Sequence, residues 1–142
     1  MERLGMIGLG QMGGAMVPTL LRAGFSVWAY DLRPERVAAA VKAGARGAQH
    51  VAELVAAVEV VMTSLPSSAV FVQVAETELL PLMRSGQVLI DLGTTVAGET
   101  RRLAKAFAER GVALLDVPVS GGPHGSATGT LHMFCRGRSG DL

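Results

Sequence analysis

An apolar run over residues 4–9 breaks into Gly8-Leu9-Gly10-Gln11-Met12-Gly13, after which Met12, Met16, Leu20 and Leu21 recur at helical spacing until Gly24. A short run buried on both faces, a tight glycine turn and an immediate helix start restrict the chain to folds in which a parallel strand feeds a crossover helix. In that setting each glycine has a steric task. Gly8 makes the tight reversal, Gly10 lets a pyrophosphate approach the backbone, and Gly13 lets the helix pack closely on the strand. The N–H groups and positive dipole end of the helix then face the phosphates. Outside a strand–turn–helix setting the same triplet is only a tightly packed turn. Residues 4–21 carry no charge, a length that could pass for a membrane span or signal segment. Five glycines, Gln11 and Pro18 within it, and Glu2 ahead of it, argue for strand and helix instead. Pro18 removes one helical hydrogen bond toward Gly14, so a local kink is expected there.

The alternation continues along the chain. Residues 25–31, with Val27, Trp28 and Tyr30, read as a strand by their β-branched and aromatic content. Residues 34–43 are alanine-rich, open on Pro34 and stop at Gly44, the expected asymmetry of helix ends. A short strand over 45–48 precedes a helix through Val58. Residues 60–65 form a strand ended by Pro66, and Ser67 or Ser68 caps the next helix. Residues 86–92 read as a strand, 97–110 as a helix and 113–117 as a strand. With no long linker or repeat, this pattern specifies an α/β fold, a doubly wound parallel sheet of the Rossmann type with right-handed crossovers. Ligands bind such sheets outside the carboxyl ends of the strands. The segments 8–13, Asp31, Leu65-Pro66, Gly93-Thr94 and 118–122 are therefore expected to converge on one crevice.

Composition narrows the function. Lys plus Arg total 13 against 12 Asp plus Glu, without a cluster, which leaves no basic face for nucleic acid or membrane. The single Cys135 cannot form an internal disulfide, and His50, His124 and His132 are too scattered for a structural metal site. A reduced, cytoplasmic setting is the expectation. Glycine reaches 18 residues while aromatics are 4%, so the core must be aliphatic.

Asp31 follows Gly13 by 18 residues and closes the second strand, where a carboxylate can accept hydrogen bonds from the adenosine ribose hydroxyls. That favours NAD. A carboxylate there could instead cap the helix at Pro34. Arg33 and Arg36 bear on the same choice, because a guanidinium near the ribose could hold the 2′-phosphate of NADP; solvated positions in the first helical turn are the plainer reading for both. Ser120, Gly121 and Gly122 combine a hydroxyl with consecutive backbone N–H groups, a concavity suited to a carboxylate.

Taken together, Gly8-Leu9-Gly10-Gln11-Met12-Gly13, Ser64-Leu65-Pro66 and Asp116-Val117-Pro118-Val119-Ser120-Gly121-Gly122, with Gly129-Thr130-Leu131, resemble the β-hydroxyacid dehydrogenases. This is the group of 3-hydroxyisobutyrate dehydrogenase and tartronate semialdehyde reductase, and the likeness runs over residues 1–134. The resemblance implies hydride exchange between a nicotinamide and a small 3-hydroxy acid or its semialdehyde. It implies that the glycine loop holds pyrophosphate, that Leu65 and Pro66 line the dinucleotide, that Thr94 lies near the nicotinamide ribose, and that Ser120, Gly121 and Gly122 hold the substrate.

The chain departs from that family in places. Gly93 stands where the family has Ser or Thr, and Ala97 where it often has Pro. Residues 135–142 lack periodicity and read as a disordered polar tail, where the family continues into a helical second half. The family also relies on a lysine beyond the cofactor domain, with an asparagine nearby, whereas these 142 residues contain Lys42, Lys105 and no asparagine. Loss of general acid–base help costs about 10²–10⁴-fold. Weak or absent turnover is thus expected of the isolated chain, and a non-catalytic NAD-binding module is the alternative reading. Apolar surface left uncovered is expected to drive homo-oligomerisation. His124 reads as a loop residue, His132 as a strand residue of a final hairpin, and Cys135 has no basic partner to make it a nucleophile.

Overall fold

In the computed structural model, which describes residues 2–120 and 132–133, the chain order is β1 (Arg3–Ile7), α1 (Gln11–Arg22), β2 (Ser26–Tyr30), α2 (Pro34–Ala43), β3 (Arg46–Gly47), α3 (Val51–Ala57) and β4 (Val60–Thr63). There follow α4 (Ser68–Val74), a π turn (Ala75–Leu79), α5 (Leu80–Leu82), β5 (Val88–Asp91), α6 (Ala97–Glu109), β6 (Ala113–Asp116), β7 (Val119–Ser120) and β8 (His132–Met133). Strands β1 to β6 form one parallel sheet in the order β3-β2-β1-β4-β5-β6. This is the doubly wound architecture expected of the sequence. β7 and β8 pair antiparallel as the expected hairpin, with Ser120 opposite His132.

Every residue of β1 after Arg3 is buried, because β2 and β4 flank it and helices cover both faces. Leu4 and Met6 face one layer with Met16 and Val17 of α1 and Ala40 of α2. Ile7 faces the other, with Leu54 and Val55 of α3, Phe71, Leu79, and Leu103 and Phe107 of α6. Phe71, Ala75, Leu79 and Met83 are all buried along the helix that the π turn interrupts. At Gly5 a Cβ would stand 2.3 Å from Leu54 Cδ2, so the absence of a side chain there lets α3 lie flat on β1.

The strands end a residue or two before the apolar runs that encode them. β1, β4, β5 and β6 stop at Ile7, Thr63, Asp91 and Asp116. The ladder's last bonds, Ser64 N–H to Ile7 O, Leu92 N–H to Thr63 O and Val117 N–H to Asp91 O, each span 2.9 Å and launch the loops at the carboxyl edge. α1 passes through Pro18 as one helix. Of the two candidate caps, Ser67 caps α4 by accepting the Val70 N–H at 3.2 Å. No helix among the described residues is long and apolar enough to cross a membrane.

Gly5→Ala should cost about 1–3 kcal/mol by overpacking against Leu54. Leu54→Val in the same chain should recover part of that loss, so the double variant measured by urea unfolding falls short of the sum of the singles. Strict additivity would show that the two positions do not press on one another.

Candidate functional site

β1 and β4 are neighbours in the sheet, but their following helices leave on opposite faces, α1 with the Leu4–Met6 layer and α4 with the Ile7 layer. Doubly wound sheets bind ligands in the crevice outside the carboxyl ends of the strands at such a switch point, and the glycine loop lies there. Gly8 has φ +95°, a left-handed conformation, and a Cβ there would stand 2.2 Å from the Ser64 carbonyl oxygen. A Cβ at Gly13 would stand 2.0 Å from the Gly8 carbonyl oxygen. Both positions are closed to a side chain by backbone. Gly10 is different: its φ is −68°, and the nearest atom to a Cβ there is Arg36 Nη1 at 3.9 Å. Glycine at that position answers to no protein neighbour, and the space above it suits a group that must approach the backbone.

Gly10 is also the N-cap of α1, whose first turn carries no acidic residue. The first helical bond runs from Gly14 N–H to Gly10 O at 2.8 Å, so the turn holding exposed Gln11 and half-buried Met12 presents the positive end of the dipole to the crevice. Leu9 is buried beneath it.

Asp31 ties this loop to the end of β2. Its Oδ2 accepts the Leu9 N–H at 2.7 Å and its Oδ1 the Arg33 N–H at 2.9 Å. Each oxygen keeps a further lone pair for a hydroxyl donor. Asp31 is not the N-cap of α2, which is Arg33, but its Oδ1 bond to the Arg33 N–H holds the residue that opens that helix, so the cap alternative survives only in this indirect form. The two arginines also separate. Arg33 is exposed, whereas Arg36 brings Nη1 to 3.6 Å from Asp31 Oδ2, so Arg36 is not merely solvated.

Half-buried Leu65 and exposed Pro66 follow β4, and exposed Thr94 follows β5. Ser120 ends β7 beyond β6. Gly121, Gly122, His124 and Cys135 lie outside the described residues, as does the expected tail 135–142. Among the described residues, no group of three or more His, Cys, Asp or Glu side chains could hold a metal ion.

One constellation at this edge escaped the reading of the sequence. Asp91, 1% exposed, accepts hydrogen bonds from Thr63 Oγ1 (3.2 Å), Gly93 N–H (3.0 Å) and Thr95 Oγ1 (2.6 Å), and lies in register with buried Asp116. Burial pushes its carboxyl above the usual aspartate range, with the three hydrogen bonds opposing and the Asp116 charge reinforcing that shift. The available signal was an acid closing an apolar strand two residues before Gly93-Thr94-Thr95.

The chain matches the family model described as the NAD binding domain of 6-phosphogluconate dehydrogenase over residues 3–142, and it belongs to that family of NAD-binding domains. It is similar to the β-hydroxyacid dehydrogenases in particular. A 3-hydroxyisobutyrate dehydrogenase of Pseudomonas aeruginosa is 37% identical over 139 residues, 96% of this chain and 47% of that protein. An NAD-dependent L-serine dehydrogenase of the same organism is 35% identical over 139 residues, again 96% and 47% of the two chains. The solved structure of Mycobacterium tuberculosis 3-hydroxyisobutyrate dehydrogenase with L-serine superposes with a TM-score of 0.92 at 32% identity, covering 99% of this chain and 48% of that one. The chain thus spans about half the length of the relatives it matches.

Because the folded chain holds the Asp91 proton more tightly than the unfolded chain, this residue's contribution to stability is complete below the ordinary aspartate value of about 3.9 and is lost as pH rises through the raised folded value. Asp91→Asn should remove that loss. The difference in urea midpoint between wild type and variant is expected to fall across this window and level off above it; parallel profiles would contradict the shift.

Proposed function

We propose that these 142 residues form the dinucleotide-holding part of an NAD(P)-dependent oxidoreductase acting on a small 3-hydroxy acid or its semialdehyde. The observation that carries this reading is the open approach at Gly10 beside Asp31, whose carboxylate is held by Leu9 and Arg33 N–H groups. On this reading the loop of Gly8, Leu9, Gly10, Gln11, Met12 and Gly13 takes the pyrophosphate and Asp31 the adenosine ribose, so NAD is the preferred cofactor. NADP is the second candidate, with Arg33 and Arg36 within the same segment. Leu65 and Pro66 line the dinucleotide, Thr94 meets the nicotinamide ribose, and Ser120, Gly121 and Gly122 hold the substrate carboxylate. The dinucleotide domain occupies residues 1–134. The names of the relatives, a hydroxyisobutyrate and a serine dehydrogenase, support a small hydroxy acid as substrate.

In the oxidative direction the alcohol carbon gives a hydride to the nicotinamide and the hydroxyl gives up a proton. Neither lysine within these residues suits that proton. Lys42 sits in the last turn of α2 and Lys105 past the middle of α6, and crossover helices run away from the carboxyl edge of the sheet. These residues alone are therefore expected to bind cofactor and to turn over weakly or not at all, in a cytoplasmic setting with no nucleic-acid or membrane partner. That lysine placement also favours the second reading, a non-catalytic NAD-binding module; turnover above a Ser120→Ala control would count against it.

Calorimetric titration with NAD and NADP tests the main reading. NAD should bind more tightly, Asp31→Ala should weaken it, and Gly10→Ala should weaken it while leaving thermal stability nearly unchanged. Binding of neither cofactor overturns the proposal. Leu32, Val41, Leu82 and Val96 are exposed large apolar side chains among the described residues, and homo-oligomerisation belongs to the same reading. Sedimentation should find a dimer or larger species, and a monodisperse monomer would rule that out.

A further inference from the structure

Asp91 is buried, polar and central, and no step above uses it. It ends β5 between β4 and β6, with Thr63 and Asp116 as its register partners. Its carbonyl accepts the Val117 N–H at 2.9 Å, and its carboxylate gathers Thr63, Gly93 and Thr95. Two of those three partners stand immediately on either side of Thr94. One residue further on, Val96 donates its N–H to Ser68 Oγ at 3.2 Å. Gly93 also lies against the neighbouring loop, since a Cβ there would be 3.3 Å from Asp91 Oδ1 and 3.6 Å from the Leu65 carbonyl oxygen. The segment 93–96 is therefore pinned at Gly93, Thr95 and Val96, with the exposed Thr94 held between them.

A carboxylate is the side chain suited to this position, because it accepts from one N–H and two hydroxyls while offering no donor that would compete. Burying it is unfavourable unless those bonds are made, so the group is present for what it holds. The two halves of a doubly wound sheet each take one mononucleotide. Asp31 serves the half built on β1 to β3, and the loop that Asp91 fixes belongs to the half built on β4 to β6.

We propose that Asp91 is a positioning residue for the nicotinamide half of the site, fixing the loop after β5 so that Thr94 meets the nicotinamide ribose. The proposal rests on the dinucleotide reading of the crevice. Its signature is a split between ligands. A residue that serves only the fold affects the whole site, whereas Asp91 acts on the part of the ligand beyond the pyrophosphate.

The test is calorimetric titration of the full chain with NAD and with ADP, which carries the adenosine and pyrophosphate alone. In wild type NAD should bind more tightly than ADP. Asp91→Asn should weaken NAD about tenfold, the scale of one lost hydrogen bond to a charged group, with ADP within twofold of wild type. Thr95→Val, which removes a single tie and keeps the chain testable should Asp91→Asn fail to fold, should shift NAD in the same direction. Thr95→Ser, which retains the hydroxyl, should restore it. Equal weakening of both ligands, or of neither, overturns the proposal, as does a wild type that binds NAD no better than ADP. Failure of the wild type to bind either ligand overturns the dinucleotide reading itself.

Discussion

The carbonyl oxygen of Gly8 decides how close α1 can come to β1. A methyl group at Gly13 would lie 2.0 Å from it, so only glycine lets the helix begin directly over the strand end. The positive φ of Gly8 then turns the chain beneath the Ser64 carbonyl. From these two contacts follow the placement of the helix dipole over the crevice, the open space at Gly10, and the reach of the Leu9 N–H to Asp31. The apolar layers of the sheet supply stability, but the geometry of the site hangs on backbone packed against backbone.

On the proposed reading, in which Asp31 takes the adenosine ribose, cofactor choice becomes a contest between one fixed group and one movable one. Asp31 is held by two backbone N–H groups, and displacing it would break both. Arg36 is held by a single ion pair at 3.6 Å with a side chain 40% exposed, an interaction of small net value. A 2′-phosphate would meet repulsion from the carboxylate before any gain from the arginine. That reading therefore favours a ribose with free hydroxyls.

The sheet, its order of elements and its carboxyl-edge loops were legible because they are local. Glycine at a strand end, proline at Pro34 and glycine at Gly44 each carry their conformation with them, and α2 spans the residues that such signals delimit. The polar network was harder. Asp91 joins Thr63 across 28 positions, and Arg36 reaches Asp31 and the space over Gly10 only once β2 and α2 are folded. Pairings of that kind have no period in the sequence. Ser67 and Ser68 illustrate the boundary: either could cap α4, and only the fold shows that Ser68 instead holds the Val96 N–H.

The π turn shows how this chain reconciles spacing with geometry. Phe71, Ala75, Leu79 and Met83 are buried at intervals of four. On an ordinary α-helix of 3.6 residues per turn, three such steps overshoot whole turns by about 120°. The wider turn at Ala75–Leu79, closed by the Leu80 N–H on the Ala75 carbonyl, takes up that excess. Chain length in this segment is thereby uncoupled from the face it buries. The helix can carry one residue more than its core contacts require, and Met83 and the strand that follows still arrive in phase.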